Sequence, residues 1–366
     1  MSPVPAGSGQ LPAARPLLIT ADPDLLDELL RVAAAAGSEV DVAADAGAAR
    51  RWWSGAPCVV VGADAVQDCL RVRLHRRGAV VLLGTDLDDA TVWQRGMQLG
   101  AEQVLFLPDG EQWLVERLAD AADGGGRSGA VVAVVGGRGG AGATTLACAI
   151  AVTATRTGRS TLLVDGDPLG GGVDLVFGGE GDQGLRWRDF GGTQGRVPAA
   201  ALAEALPRMD GLSVLSWDRG SAFAVPAEAM AAVLGAARRA HDLVVVDLPR
   251  TFDDASRVAL GVAGCVLLVV PAELRAAAAA GRVAACAGSL CQDLRLVVRG
   301  PAPSGLEAAT VATLLGLPLA GQLRAEPGLD LALERGEAPA RRGRGPLAEL
   351  CARLVDELAP ALGRAA

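Results

Sequence analysis

Runs of apolar residues alternate with amphipathic stretches through the first third of the chain. Four of these runs are predicted to be buried strands, because each consists mostly of Leu, Val, Ile or Phe and is bounded by polar residues or glycine. They are residues 16–20, 58–61, 79–83 and 103–107. Apolar side chains recur every three or four residues at 24–35 and 111–122, which predicts amphipathic helices. This alternation is typical of a doubly wound parallel sheet, so we expect a small flavodoxin-like α/β domain.

The same alternation continues on a larger scale after residue 129. Six further apolar runs predict strands, at residues 130–135, 161–164, 212–215, 243–246, 265–270 and 294–298. With a helix at 146–157 and others between the strands, this part is predicted to be a larger parallel-sheet α/β domain. The Gly-rich stretch 121–129 is typical of a linker. The predicted organisation is a tail (1–15), a first domain (16–120), the linker, a second domain (130–362) and a tail (363–366).

The amino-acid composition excludes several kinds of binding and catalysis. The formal net charge of −8 argues against a protein that wraps a nucleic-acid backbone, so contact with DNA is not expected. All 34 residues counted as Lys+Arg are arginines, and Tyr is absent, which excludes lysine and tyrosine chemistry. Two His and seven Cys without a C-x-x-C pair predict reduced thiols and neither a zinc nor a haem site. No apolar run approaches the about 20 residues that span a bilayer, so we expect a cytoplasmic protein.

A Gly-rich segment, Gly-Gly-Arg-Gly-Gly-Ala-Gly-Ala-Thr-Thr at 136–145, joins a predicted strand to a predicted helix. Such a loop points several backbone N–H groups and the positive end of the helix dipole at one place, where phosphate binds well. The spacing Gly-x-x-x-x-Gly-x-Thr is that of a P-loop, with Ala143 at the position of the usual lysine. The candidate nucleotide-binding residues are Gly137, Arg138, Gly139, Gly140, Ala141, Gly142, Ala143, Thr144 and Thr145.

Carboxylates follow two of the later strands. Asp165 and Asp167 come directly after the strand at 161–164, within Asp-Gly-Asp-Pro, and Asp247 follows the strand at 243–246. A carboxylate at a strand end beside a phosphate loop suits a magnesium shell through water, with the Thr144 hydroxyl as a further ligand. We therefore predict that Asp247 and Thr144 take part in magnesium binding and that Asp167 orients an attacking water.

This order of motifs resembles the MinD/ParA group of deviant-Walker ATPases, whose loop reads Lys-Gly-Gly-x-Gly-Lys-Thr-Thr and aligns with residues 138–145. The resemblance implies bound ATP and Mg²⁺ in a homodimer whose first loop lysine, here Arg138, reaches the partner's phosphates. It also implies that Asp165 lies near the magnesium and that Asp167 is catalytic. Because Ala143 replaces the second lysine, the expected ATP binding is weak and hydrolysis is poor or absent.

Residues 16–120 resemble a response-regulator receiver. Asp22 and Asp24 follow the first strand, where receivers hold magnesium, and Thr85 follows the third predicted strand, like the receiver switch residue. Gly62, however, stands where the phosphate-accepting Asp belongs, and Leu107 precedes Pro108 in place of a lysine. The domain is therefore predicted to be a pseudo-receiver that serves protein contacts. The alternative for the two aspartates is that they cap a helix.

A receiver-like domain followed by such an ATPase domain resembles the architecture of the CpaE/TadZ branch. The motif sequences, including Ala143 in place of lysine, are most similar to those of actinobacterial septum-site-determining proteins. The implied role is spatial regulation of division-septum placement, with cell-division proteins as partners. Two alternatives are a landmark for pilus or secretion machinery and a scaffold that acts without nucleotide. A third is an NAD-binding oxidoreductase, because Gly137-x-Gly139-x-x-Gly142 also fits the dinucleotide fingerprint, with Asp165 as the ribose-binding acid.

Two further features bear on partners. The segment 345–362 is predicted to be an amphipathic helix, and its mixed to acidic polar face favours packing on the fold over contact with a membrane surface. A peripheral position at the inner face of the membrane is the alternative. Trp187 lies in the polar context Leu-Arg-Trp-Arg-Asp, which suggests a partner surface.

Overall fold

The computed structural model of the protein describes residues 15–84, 86, 89, 91–122, 129–193, 195–220, 224–301 and 305–358. The chain divides into two compact units, Met1–Gly126 and Arg127–Ala366. Most of the predicted N-terminal tail, the C-terminal tail, Thr85 and the middle of the predicted linker lie outside the described residues.

The first unit is a five-stranded parallel sheet with helices between its strands. The strands are β1 (Leu17–Ile19), β2 (Asp41–Ala43), β3 (Val59–Gly62), β4 (Val80–Gly84) and β5 (Gln103–Phe106). The helices are α1 (Pro23–Ala35), α2 (Ala46–Trp53), α3 (Val66–Val72), α4 (Thr91–Leu99) and α5 (Glu111–Ala122). The strand order β2-β1-β3-β4-β5 is that of the flavodoxin-like fold, which confirms the predicted class.

Strand β2 was not predicted, and its sequence explains why. It is the edge strand, and only Ala43 of its three residues is buried. The other four strands were predicted because both of their faces are buried, which makes nearly every side chain apolar. In β1, for example, Leu17 and Ile19 face one core and Leu18 faces the other. A strand that buries one small side chain produces no apolar run.

The phosphate-accepting position of a receiver is filled differently here. The carboxylate of Asp64 accepts hydrogen bonds from the Thr20 hydroxyl at 2.9 Å and from the Ala21 amide at 2.7 Å. It occupies the space into which a side chain at Gly62 would project. Asp22 is the N-cap of α1 and accepts from the amide of Asp24 at 3.0 Å, as the capping interpretation predicts.

The second unit is an eight-stranded sheet. Its strands are β6 (Ala130–Gly136), β7 (Thr161–Asp165), β8 (Arg208–Met209), β9 (Leu212–Leu215), β10 (Leu243–Leu248), β11 (Cys265–Pro271), β12 (Leu294–Arg299) and β13 (Leu319–Leu323). The order is β13-β12-β11-β6-β10-β7-β9-β8, and all pairs are parallel except β8 with β9. The sheet is therefore mixed and mostly parallel. The short strand β8 and the half-exposed edge strand β13 were not predicted.

Helices cover both faces of this sheet. They are α6 (Ala143–Arg156), α7 (Trp187–Phe190), α8 (Ala199–Ala205), α9 (Ala227–Ala240), α10 (Asp254–Val262), α11 (Leu274–Gly288), α12 (Ala308–Leu315), α13 (Leu329–Glu334) and α14 (Pro346–Leu358), with a 3-10 turn at Val173–Phe177. Along β6, Val131 and Val135 face the core that includes α9, α10 and α11, while Val132 and Val134 face the core that includes α6 and α14. The central helix α6 begins three residues before the predicted start.

The apolar stripe of the C-terminal helix is covered. Leu347, Leu350, Cys351, Leu354 and Val355 of α14 are buried in the core that they share with α6. This agrees with the prediction of a helix packed on the fold and leaves the described part of the stripe closed to a membrane surface. Across the described ranges, no helix combines the length and apolar character needed to cross a bilayer.

We expect Gly62→Asp to lower the free energy of unfolding by about 2–4 kcal/mol, because the new side chain would be forced against the Asp64 carboxylate and Leu25. A Cβ at residue 62 would already lie 2.9 Å from Leu25 Cδ2. Urea unfolding of the full chain measures the change. Gly55→Asp is the matched control, since a Cβ there meets nothing within 4 Å. Equal midpoints for the two variants would contradict the packing described around Gly62.

Candidate functional site

The Gly-rich loop lies between β6 and α6, at the carboxyl edge of the sheet. Gly140 (φ 68°) and Gly142 (φ 97°) adopt the left-handed conformation that favours glycine. Gly142 is the N-cap of α6 and supplies no side-chain cap. The first backbone N–H groups of α6 are therefore available to an external acceptor, and the helix dipole adds positive potential at the same place. The loop backbone is thus compatible with the phosphate-binding site predicted for residues 137–145, which we call the cradle.

One glycine of the loop has a packing role of its own. Gly137 is buried, and a Cβ there would lie 2.7 Å from the Cβ of Ala280 and 2.9 Å from Cγ2 of Val270. The backbone of the loop thus approaches α11 and β11 so closely that only glycine fits. Close packing alone explains a glycine at position 137, and so does ligand binding. Gly137 by itself therefore does not identify a nucleotide site.

Two buried carboxylates face the start of α6. Asp165 ends β7 and Asp247 lies on the adjacent strand β10, where the two residues are direct register partners. They are 2% and 4% exposed. Each lies two residues after a core residue of its own strand, Leu163 or Val245, and therefore on the same face of the sheet, which is the face covered by α6. Sequence positions 82 residues apart are thus brought together because parallel neighbouring strands end at one edge.

Burial raises the pKa of both carboxyl groups, to about 6 for Asp165 and about 7 for Asp247. The negative charges of Asp165 and Asp167 raise the pKa of Asp247 further, whereas a hydrogen bond with the Thr144 side chain opposes the shift. Thr144 therefore links the loop to Asp247, and its role as a magnesium ligand stays a prediction. A cation in this place would relieve the cost of two buried negative charges.

Asp165 is held by partners from its own loop. Its Oδ2 accepts from the Val173 amide at 2.9 Å, and its Oδ1 accepts from the Asp167 amide at 3.2 Å. Asp167 is half-buried, and its Oδ1 accepts from the Leu169 amide at 3.0 Å. Asp167 thus shapes the turn after β7 and lies beside Asp165. Its assignment as the residue that orients water stays a prediction.

Trp187 is a buried structural residue, so its prediction as a partner surface was wrong. Its side chain is 0% exposed, and Nε1 donates to the Asp165 carbonyl at 2.5 Å. Its ring packs against Phe190 and Trp217, with centroids 6.2 Å and 6.1 Å apart. The charged neighbours that suggested exposure lie on the other sides of the short helix α7. The indole therefore fixes the strand end that carries the candidate site.

A buried polar network behind Asp165 was not predicted. The Ser216 hydroxyl lies 3.2 Å from Asp165 Oδ2 and 3.2 Å from Asp174 Oδ1, so its single proton serves one carboxylate at a time. Arg219 Nη2 donates to Asp174 Oδ1 at 3.0 Å, and Arg186 Nη2 lies 3.9 Å from its Oδ2. Ser216 and Asp174 are 42 residues apart without a shared motif, so only their strand and turn positions reveal the network.

Arg138, predicted to reach a partner subunit, is engaged within its own chain. Its Nη2 donates to Oε1 of Glu273 at 3.0 Å, and both side chains are partly exposed. Glu273 is the residue that precedes α11. Exposed ion pairs contribute about 0–1 kcal/mol, so this contact would yield to a stronger acceptor such as phosphate.

The missing lysine leaves no ammonium group in the cradle. Ala143 is half-buried and packs against the core on the α6 side. Within the described ranges, no three His, Cys, Asp or Glu side chains are grouped as a metal-ion site. A magnesium ion would consequently depend on Thr144, water and phosphate oxygens as much as on carboxylates.

The dinucleotide alternative conflicts with the strand order. In that fold the ribose-binding acid ends a strand adjacent to the one that carries the Gly-rich loop. Here β10 lies between β6 and β7, so Asp165 is one strand too far away. Its carboxylate oxygens already accept from two backbone amides and face Ser216. The site geometry therefore does not support an NAD-binding oxidoreductase.

Asp247→Asn is expected to raise the free energy of unfolding by about 2–4 kcal/mol at pH 8 without divalent cation. Burial raises the pKa of Asp247 from 3.8 to about 7, and one pKa unit corresponds to about 1.4 kcal/mol, while the buried Asn amide keeps part of the desolvation cost. Because the folded-state pKa is raised, the folded protein keeps protons that the unfolded chain has lost between about pH 4 and pH 7. The contribution of this group to stability therefore falls as pH rises through that window.

Urea unfolding between pH 5 and pH 8.5 measures this pH dependence. The variant should lose most of the slope, whereas Asp330→Asn, at an exposed position of α13, should keep it. An unchanged slope together with lower stability of Asp247→Asn at pH 8 would contradict the burial of this carboxylate beside Asp165.

Sequence comparison identifies relatives of the whole chain. Residues 19–130 match the family model described as Rv3660c-like, CheY-like N-terminal domain. The uncharacterized protein Rv3660c of Mycobacterium tuberculosis strain H37Rv is 45% identical over 342 residues, which cover 92% of this chain and 96% of that protein. MT3760 of strain CDC 1551 matches with the same identity and coverage.

Solved structures match with lower identity. MinD of Pyrococcus furiosus is 20% identical, covers 63% of this chain and 98% of its own, and has a TM-score of 0.54. The MinC:MinD complex of Aquifex aeolicus is 22% identical, covers 64% of this chain and 99% of its own, and has a TM-score of 0.53. A ParA family ATPase of Chlorobium tepidum is 14% identical, covers 62% of this chain and 98% of its own, and has a TM-score of 0.51. At these identities the similarity shows the fold. The chain belongs to the Rv3660c-like protein family, with a CheY-like N-terminal domain and a larger domain of the MinD/ParA fold.

Proposed function

We propose that this chain is a MinD-like spatial regulator that binds ATP and Mg²⁺ weakly and hydrolyses ATP poorly or not at all. The observation that supports the proposal is the convergence of an uncapped α6 N-terminus, the Thr144 side chain and the buried pair Asp165 and Asp247. Each is unfavourable or unsatisfied alone. A magnesium nucleotide supplies phosphate oxygens for the amides and a cation for the carboxylates.

The residues of the chain divide the work of binding. The amides of the segment from Gly139 to Thr145 would cradle the phosphates, and the Thr144 hydroxyl would bind the ion. Asp247 would hold water of the metal shell, and Asp165, fixed by Val173 and Ser216, would orient the same shell. Magnesium neutralises phosphate charge when bound.

Catalysis would rest on Asp167, next to Asp165 in the turn after β7. Phosphoryl transfer depends mostly on electrostatic stabilisation, so a loop with Ala143 lacks a main contributor. A charge-assisted hydrogen bond contributes about 1.5–3 kcal/mol, and the loss of one lowers affinity by about tenfold or more. We therefore propose a switch driven mainly by nucleotide occupancy.

The binding state would be a homodimer that meets over the two loops. Arg138 would leave Glu273 and contact the phosphates of the partner subunit, which costs little because the present pair is half-exposed. Guanidinium groups bind phosphate oxygens in a bidentate manner, so an arginine suits this position. Dimerisation would then report nucleotide binding.

The proposed cellular role is septum-site selection, as in actinobacterial septum-site-determining proteins, with cell-division proteins as partners. The solved assembly of MinD with MinC is an example of such a partnership on this fold. A pilus or secretion landmark of the CpaE/TadZ kind is the alternative role for the same architecture. We place the protein in the cytoplasm, with a peripheral position at the inner face of the membrane as the alternative, which the burial of the described part of the α14 stripe disfavours.

A second candidate is a scaffold that acts without nucleotide. It is favoured by Ala143 in the loop and by the packing role of Gly137, which explains a Gly-rich turn without any ligand. The two candidates differ in a measurable way, because a decayed pocket gains nothing from a restored charge.

Ala143→Lys is expected to lower the dissociation constant for Mg-ATP by about tenfold or more, because it adds one charge-assisted contact. Isothermal titration measures affinity, and a sizing column measures ATP-dependent dimerisation. Ala309→Lys, at an exposed position of α12, is the charge-matched control and should leave both unchanged. Absence of ATP binding in both the natural chain and Ala143→Lys would favour the scaffold.

A further inference from the structure

Two arginines from outside the loop lie against it. If a methyl group replaced the hydrogen of Gly142, it would lie 3.5 Å from Nη1 and 3.7 Å from Cδ of Arg299. The equivalent position at Gly139 lies 3.8 Å from Nη2 of Arg250. One guanidinium is therefore in contact range of the residue that caps α6, and the other is in range of the loop's exposed turn.

The two side chains approach from opposite sides of β6. Arg299 is the last residue of β12, which is separated from β6 by β11. Arg250 follows β10, the neighbour of β6 on the other side. Both strands end at the same edge as the loop, because all of these strands are parallel. The arginines flank the cradle rather than crowd one end of it.

The described residues supply no counter-charge to either guanidinium. In the parts of the chain that the structure describes, no carboxylate lies within ion-pair distance of Arg250 or Arg299. By contrast, Arg138 pairs with Glu273, and Arg295, on the same strand as Arg299, pairs with Asp293 at 2.7 Å. Two unpaired positive charges thus adjoin a helix start that is itself positive. This arrangement is electrostatically unfavourable until an anion lies between them.

The backbone of Arg299 is held in place by the sheet. Its carbonyl accepts from the Ala272 amide at 2.8 Å, and its backbone is in register with Pro271 of β11 and Leu323 of β13. Strand pairing on both sides fixes the Cα, so only the side-chain torsions remain to be ordered when a ligand binds. Pre-organisation of this kind lowers the entropic cost of an ionic contact. Arg250 is exposed and lies in the loop after β10.

We infer that Arg299, assisted by Arg250, supplies in the same chain the positive charge that Ala143 does not, and that the site binds a polyphosphate chain through arginines. The inference rests on the proposed nucleotide site and adds its cationic residues. Guanidinium groups bind phosphate oxygens in a planar, bidentate manner and remain charged at every physiological pH. A nucleoside di- or triphosphate along the loop meets Arg299 at the α6 end and Arg250 at the Gly139 end.

The test is isothermal titration of the full chain with Mg-ATP, and with inorganic tripolyphosphate as a probe without a base. Arg299→Gln should weaken binding of both by about 10- to 100-fold, and Arg250→Gln by about three- to tenfold. Arg299→Lys should retain most of the affinity because it keeps the charge. Arg295→Gln, on the same strand at its opposite end, is the matched control and should remain within twofold.

A double-variant cycle tests whether Arg299 takes over the role of the missing lysine. Ala143→Lys should improve Mg-ATP binding more in the Arg299→Gln background than in the natural chain, since one charge substitutes for the other. Circular dichroism and urea midpoints verify that each variant is folded. If Arg299→Gln does not fold, the comparison of Arg250→Gln with Arg295→Gln decides the outcome: a loss of affinity in Arg250→Gln alone supports the inference, and equal affinities overturn it.

The outcomes separate the two proposals. If the natural chain binds Mg-ATP and Arg299→Gln binds within twofold of it, the role of Arg299 is refuted while the nucleotide site stands. If neither the natural chain nor Ala143→Lys binds Mg-ATP or tripolyphosphate, the nucleotide site itself is refuted. If both probes bind, and Arg299→Gln and Arg250→Gln lose affinity while Arg299→Lys and Arg295→Gln retain it, the inference holds.

Discussion

The candidate site depends on two negative charges that the sheet forces together. Asp165 and Asp247 are register partners on adjacent parallel strands, and both are almost completely buried. Water does not stabilise them, so the pKa of each rises and the pair destabilises the fold at neutral pH. The magnesium ion proposed above would offset this cost.

The surroundings divide between support for these carboxylates and positive charge opposite them. Trp187 and Ser216 hold Asp165 from behind, and Asp174 with its arginines extends the network. On the loop side, the amides of α6 and the guanidinium of Arg299 provide positive potential. Positive potential therefore lies opposite the carboxylates although the loop itself carries no lysine.

Each unit departs at one position from the motif of the family it resembles. In the CheY-like unit, Gly62 lacks a phosphate-accepting side chain, and Asp64 fills the space that one would need. In the MinD/ParA-like unit, Ala143 lacks the loop amine. Each unit has the strand order of its fold class, and each departure lies at the carboxyl edge of its sheet. Function therefore has to be argued from the site rather than from either fold.

From sequence alone, the central strands, the Gly-rich loop and the strand-end positions of Asp165 and Asp247 were determined, because apolar runs and glycine spacing are local signals. The edge strands β2 and β13 were not, since they bury few side chains. Only the tertiary structure decided that Trp187 is buried and that Arg299 lies beside Gly142. Those contacts join separate segments of the chain, and local sequence does not show which segments become neighbours.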